Sequence, residues 1–143
     1  MNIRSILLSL LCITATATYA AEETTIDRTV EVAYQCKIDE QTRLPLTAMY
    51  GIKGNDVVVA QVKLNGVISP GMWRINNILM NTFVSTDPQS LPTMWTTLPA
   101  NADNLTEVNG GKLSYAEKEG MAHTIIVEDC QLDKAATQKL NQH

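Results

Sequence analysis

Apolar and polar positions alternate with a period of two from Thr29 to Lys37. Val30, Val32, Tyr34 and Cys36 fall on one face; Glu31, Ala33 and Gln35 fall on the other. That period, filled with β-branched and aromatic residues, predicts a half-buried strand ending on an inward cysteine. Far downstream, His123–Cys130 is again β-rich and again ends on a cysteine. We read Cys36 and Cys130 as a disulfide joining the first strand to the last, with everything between them as a closed loop.

The intervening chain repeats the pattern. Leu44–Tyr50 sets Leu44, Leu46, Ala48 and Tyr50 on one face, with Pro45 suited to a strand entrance or edge. Gly51–Asp56 is a turn cluster. Val57–Leu64 is the strongest strand, with Val58, Ala60, Val62 and Leu64 facing one way. Asn65-Gly66 follows at once and predicts a tight hairpin turn, because a type I′ turn needs positive φ at both central residues. Val67–Trp73 returns, bent or bulged at Pro70-Gly71. Asn76–Thr86 predicts a further strand with Ile78, Met80, Thr82 and Val84 on one face. Asp87–Ser90 turns the chain into a short strand, Leu91–Thr97, centred on Trp95. Leu98–Gly111 reads as loop, closing on a turn at Asn109-Gly110-Gly111. Lys112–Glu117 is another strand, and Glu119-Gly120 turns into the last one. The polar tail predicts one frayed helical turn around Lys134–Leu140.

About eight short strands without an internal helix predict an antiparallel sandwich or a small closed barrel. No helix separates the strands, so no parallel crossover is expected. In a barrel the first and last strands pair and no edge is left. The Cys36–Cys130 bridge would then sit at the closing seam.

The N-terminus departs from this pattern. A short start carrying Arg4 precedes the apolar run Ser5–Ile13, and Thr18-Tyr19-Ala20 offers small residues for cleavage. This is the layout of a secretory signal peptide, and the run is too short for a membrane span. We expect residues 1–20 to be removed, residues 21–28 to form a leader, 29–132 the barrel domain and 133–143 a polar tail. About 120 residues remain, enough for one core. Cys12 lies inside the apolar run behind Leu10 and Leu11, unlike a lipidation site, and leaves with the signal peptide. Two cysteines in an exported protein favour a disulfide over a metal site, which would need more Cys or His ligands.

The full chain has a net charge of −4, with 11 basic and 15 acidic residues; loss of Arg4 takes the balance to −5. No cluster of Lys and Arg suggests nucleic-acid binding. Moderate acidity suits ordinary solubility and favours encounter with a basic partner.

Catalytic chemistry has little to build on. There is no Gly-x-Ser-x-Gly elbow, no His-Glu-x-x-His and no phosphate loop. Of the two histidines, His143 is terminal and His123 starts a strand. Asp87, Asp103 and Glu107 lie in loops with nothing to pair them as acid and base. Asn104-Leu105-Thr106 matches a glycosylation acceptor, which a bacterial signal peptide makes coincidental. Trp73 and Trp95 are read as core. We expect no enzyme, no cofactor and no metal. The cluster Lys112–Lys118 stands apart, mixing two lysines, a serine and a tyrosine at a strand edge after a double glycine.

Three stretches resemble the adhesin complex protein family of Gram-negative bacteria, and more distantly the periplasmic and membrane-bound inhibitors of c-type lysozyme. They are TVEVAYQC (Thr29–Cys36), LTAMYGIKGNDVVVAQVKLNG (Leu46–Gly66) and IIVEDCQL (Ile125–Leu132). The resemblance implies an eight-stranded antiparallel barrel with the terminal disulfide. It also implies an exported protein of the periplasm or outer-membrane surface that binds c-type lysozyme and blocks its cleft with a basic, polar loop. The family's Asp-Gly-Lys-Ser-Tyr-like loop finds its nearest match in Gly111-Lys112-Leu113-Ser114-Tyr115. On that basis Lys112, Ser114 and Tyr115 are the candidate lysozyme contacts, with Lys118 beside them. The loop Leu98–Asn109 is a further candidate surface. The alternative is an adhesin or envelope-associated binding protein, with a host cell surface as partner and no lysozyme inhibition.

Overall fold

The computed structural model describes residues 25–76, 79–87, 89, 91–116 and 123–142. The expected signal peptide, the start of the expected leader, Ile78, Lys118 and the turn expected at Glu119-Gly120 lie outside the described residues.

Alternation builds most of the first three strands. β1 (Arg28–Lys37) pairs along its whole length with β2 (Arg43–Lys53), which pairs with β3 (Asp56–Leu64). Val32, Tyr34, Cys36, Leu46, Ala48, Tyr50, Ala60 and Val62 are buried. Asn65 and Gly66 take φ of 52° and 81°, the positive pair that the hairpin requires. The return splits in two, at the predicted Pro70-Gly71 interruption: a short β4 (Val67–Ile68), then β5 (Met72–Ile75). β6 (Asn81–Ser85), β7 (Thr93–Thr97), β8 (Gly110–Ala116) and β9 (His123–Leu132) complete the sheet.

All pairings are antiparallel, and the order β2-β1-β9-β8-β7-β6-β5-β3 closes through β2–β3. The described residues thus form an eight-stranded barrel, with β4 as an extra strand on β3. Cys36 and Cys130 are disulfide-bonded across the β1–β9 seam, 94 positions apart in sequence.

The chain differs from strict alternation at four bulges. Val58 has no direct partner in β2, so Val57 rather than Val58 is buried. Thr96 opposes both Gly111 and Lys112, Ile126 is extra in β9, and Cys36 opposes both Asp129 and Cys130. Each bulge adds one residue and reverses the face that follows. The last brings the cysteine inward. Val127 and Cys130 are both buried although three positions apart, because Asp129 adopts φ of 48° between them. Arg43 braces the bulge: its guanidinium donates to the Asp129 carbonyl (2.9 Å), the Asp129 carboxylate (2.7 Å) and the Gln35 carbonyl (3.0 Å).

Other expectations are corrected. Within the stretch expected at Asn76–Thr86, β6 covers Asn81–Ser85; its core anchor is Phe83, with Thr82 also buried and Val84 half-buried. The chain's single phenylalanine packs 5.9 Å from Tyr50, which fixes the face. Gly110 and Gly111 begin β8 instead of forming a turn. Trp95 is fully buried, but Trp73 is 40% exposed. The Leu98–Gly111 stretch holds a short 3-10 helix, Leu105–Glu107, whose Leu105 enters the core. With Ala102 N–H bonded to the Asn55 carbonyl and Asn81 to the Ala100 carbonyl, this stretch covers the end of the barrel where β2 turns into β3. The tail forms α1 (Lys134–Leu140), a full seven-residue helix capped by the Asp133 carboxylate at Ala136 N–H.

The barrel interior is filled by aromatic side chains. Trp95 Nε1 donates to the Tyr50 hydroxyl (2.8 Å), which shares a second hydrogen bond of 2.7 Å with Tyr34. The Tyr34 and Trp95 rings meet edge-on at 5.4 Å. Burial pushes both phenols above their ordinary value of 10.0. The folded barrel therefore keeps them neutral where the unfolded chain ionises them. Stability is complete below about pH 10 and is lost as pH rises beyond it. We expect a flat Tm from pH 7 to 9 and a fall above about 10, reduced in a Tyr34→Phe variant. A Tm unchanged through about pH 11 would contradict this.

Candidate functional site

With aromatic rings packing the middle of the barrel and the 98–111 stretch over one end, the exposed chemistry lies on the wall and at the other end. β8 carries most of the expected site. Its first residues bulge because the Thr96 side chain occupies the ladder: Lys112 N–H donates to Thr96 Oγ1 (3.0 Å), and the hydroxyl donates back to the Lys112 carbonyl (3.4 Å). Gly111 allows this, since a Cβ there would collide with Thr96 Oγ1. The Lys112 N–H and carbonyl are thus both tied to the Thr96 hydroxyl while Lys112 itself is exposed. No ion pair engages Lys112 among the described residues.

The remaining expected contacts are dispersed. Tyr115 is 37% exposed and lies opposite Thr93 and Thr124 in the ladder. Ser114, paired with Met94 and Ile125, is only 1% exposed. The structure places Lys112 and Tyr115 at the surface, with Ser114 buried in the wall and not on a projecting loop. Lys118 lies outside the described residues.

Sequence reasoning missed the end of the barrel opposite the 98–111 stretch. There the β3–β4 hairpin and strands β7, β8 and β9 surround a cavity of about 420 Å³. Val62, Leu64, Leu113 and Ile126 line it, and Ser69 and Thr93 supply the polar atoms nearby. The volume falls within the range of ligand or side-chain pockets. Val67 and Ile68 stand at its rim, 72% and 60% exposed. Ile126 reaches it because it is the bulged residue of β9. Tyr115 adjoins this end through its pairing with Thr93. One signal was available: Ile125, Ile126 and Val127 are three consecutive apolar residues that alternation cannot bury on one face.

Among the described residues no group of three or more His, Cys, Asp or Glu side chains converges as metal ligands would. No described helix is long and apolar enough to cross a membrane. No family model, no curated protein and no solved structure matches the chain.

Proposed function

We propose that the protein is an exported binding protein of the bacterial envelope that blocks the active-site cleft of c-type lysozyme. The observation that carries this reading is Lys112, an exposed ammonium without an ion-pair partner among the described residues, held on a bulge that Thr96 braces. The cleft of such an enzyme presents two carboxyl groups around the scissile bond. An ammonium set between them forms charge-assisted hydrogen bonds and excludes the saccharide. Tyr115, three positions on, adds an amphipathic ring to the same strand. The net charge of −5 after loss of Arg4 attracts a basic enzyme, so encounter is fast and weakened by salt. The sequence resemblance points the same way. Ser114 contributes through the wall rather than by touching the enzyme.

Reversing the charge tests this. Lys112→Glu should leave the circular dichroism and Tm of the barrel unchanged and weaken lysozyme inhibition roughly tenfold or more, since it places a carboxylate against carboxylates. Inhibition that survives Lys112→Glu at full strength would remove β8 from the mechanism.

The apolar mouth supports a second reading, an adhesin or envelope-associated binding module. Its rim exposes Val67 and Ile68, which a soluble barrel has no structural need to present. Ile68→Asp separates the two. It should spare lysozyme inhibition if β8 makes the contact, and abolish partner binding if the mouth does.

A further inference from the structure

α1 closes the barrel seam where β9 runs out. β2 pairs all ten residues of β1, but β9 pairs only Tyr34 to Lys37. Beyond Tyr34 the edge of β1 should be bare, with outward backbone groups at Ala33 and Glu31. Instead, chain after β9 satisfies them. Asp133 N–H donates to the Ala33 carbonyl (2.9 Å), and Thr137 Oγ1 accepts from Ala33 N–H (2.9 Å). The Asn141 amide then accepts from Glu31 N–H (3.3 Å) and donates to the Glu31 carbonyl (2.7 Å). The spacing makes this possible: four residues of helix advance about 6 Å, and two residues of strand about 6.6 Å. Thr137 and Asn141 thus imitate one side of a β-ladder.

The imitation is weakly seated. Thr137 is the only residue of α1 that is buried. An open groove of about 340 Å³ runs beside the helix along the β1–β2 wall, lined by Ala33, Tyr34, Leu46, Ala136 and Leu140 among others. A seven-residue helix has little stability of its own. Its attachment to the 3-10 helix is an exposed ion pair, Lys134 to Glu107 (3.1 Å). Opening of such an element takes far less than global unfolding.

We infer that α1 is a displaceable cover over a strand-addition site on β1, and that the site takes an extended basic segment of a partner protein. An added strand would replace side-chain hydrogen bonds with a backbone ladder. Glu31 lies on the edge and Glu107 is released when Lys134 departs, so a Lys or Arg opposite Glu31 is favoured. A second copy added symmetrically about Glu31 would set two carboxylates face to face, which disfavours self-association.

The test uses the full chain, native and as the Thr137→Val/Asn141→Ala double variant, with Thr137→Ser as a control that keeps the hydroxyl. The probes are two synthetic peptides of alternating Thr and Val, one with a central Lys and one with a central Glu. Amide exchange at Ala33 and Glu31 should speed about a hundredfold in the double variant, while Val32, paired with Ala48 of β2, stays protected. The Lys peptide should bind the double variant roughly tenfold tighter than the native chain, and roughly tenfold tighter than the Glu peptide does. The control should match the native chain. Unchanged exchange at Ala33 and Glu31 would overturn the proposal. So would open amides with no binding of the Lys peptide, or equal binding of both peptides. Neither substituted residue lies in β8, so lysozyme inhibition should not change.

Discussion

Trp95→Ala should lower the stability of the barrel by about 3–5 kcal/mol, the range for removing a buried large aromatic side chain. Total stability for a domain of this size is about 5–15 kcal/mol, so the variant should approach unfolding at ambient temperature. The indole has no exposure and touches both halves of the molecule. Its ring meets that of Tyr34 in β1 in a T-shaped contact, and its Nε1–H is bonded to Tyr50 in β2. Its far end lies over Gly110, where a Cβ would come within 2.9 Å of the ring, and beside Cys130. Trp95 therefore joins β7 to the seam across the interior. Removing it leaves a cavity and strips the Tyr50 hydroxyl of a donor. Trp95→Phe should lose about 1–3 kcal/mol, because much of the ring volume remains while the buried hydrogen bond is gone. Urea unfolding of the three proteins measures this. A loss below about 1 kcal/mol for Trp95→Ala would show that the barrel is not organised around this residue.

Opening the Cys36–Cys130 bridge should have an effect of similar size. In the chain-entropy treatment, releasing a loop of 94 positions costs about 4–5 kcal/mol by freeing the unfolded chain. The Cys36→Ser/Cys130→Ser variant should show that loss in urea. Both sulfurs are buried, so a thiol reductant should act on the native protein only as fast as the seam opens. The intact protein should weigh two hydrogens less than its reduced form. Two free thiols in the native state, or a double variant as stable as the native chain, would contradict this account of the seam. An Arg43→Ala variant probes the same region more gently, since it removes the brace on the Asp129 bulge and leaves the covalent bond in place.

Much of the barrel was legible because β1, β2 as far as Tyr50 and β3 from Ala60 on each keep one consistent inward face. Val32, Tyr34 and Cys36 had one consistent face, as did Leu46, Ala48 and Tyr50, and the structure keeps both. The Asn65-Gly66 turn was equally plain, since few other dipeptides accept positive φ twice. Two cysteines at the ends of the first and last strands then implied closure. The bulges were harder to read because each is a single inserted residue. Val127 and Cys130 share a face only because Asp129 lies between them in a left-handed conformation. Phe83 did not stand out because β6 is short and alternates weakly; its packing on Tyr50 sets it in the core. The 3-10 helix around Leu105 is too brief to leave a periodic signal. The role of α1 rests on Thr137 and Asn141 reaching the β1 backbone, which no hydropathy pattern encodes.

The candidate site was legible only in part. Lys112 and Tyr115 are exposed as the loop motif implied, but β8 presents them from a strand wall and buries Ser114 between them. The apolar mouth was invisible because β3, β7, β8 and β9 come together only after the barrel closes.

The most direct measurement of the proposed function is a lysis assay. Mature protein is mixed with a c-type lysozyme, and clearing of bacterial cell walls is followed at low and high salt. The account predicts stoichiometric inhibition that weakens as salt rises and is lost in Lys112→Glu. Undiminished lysis at a large molar excess of the protein, across several c-type enzymes, would contradict it.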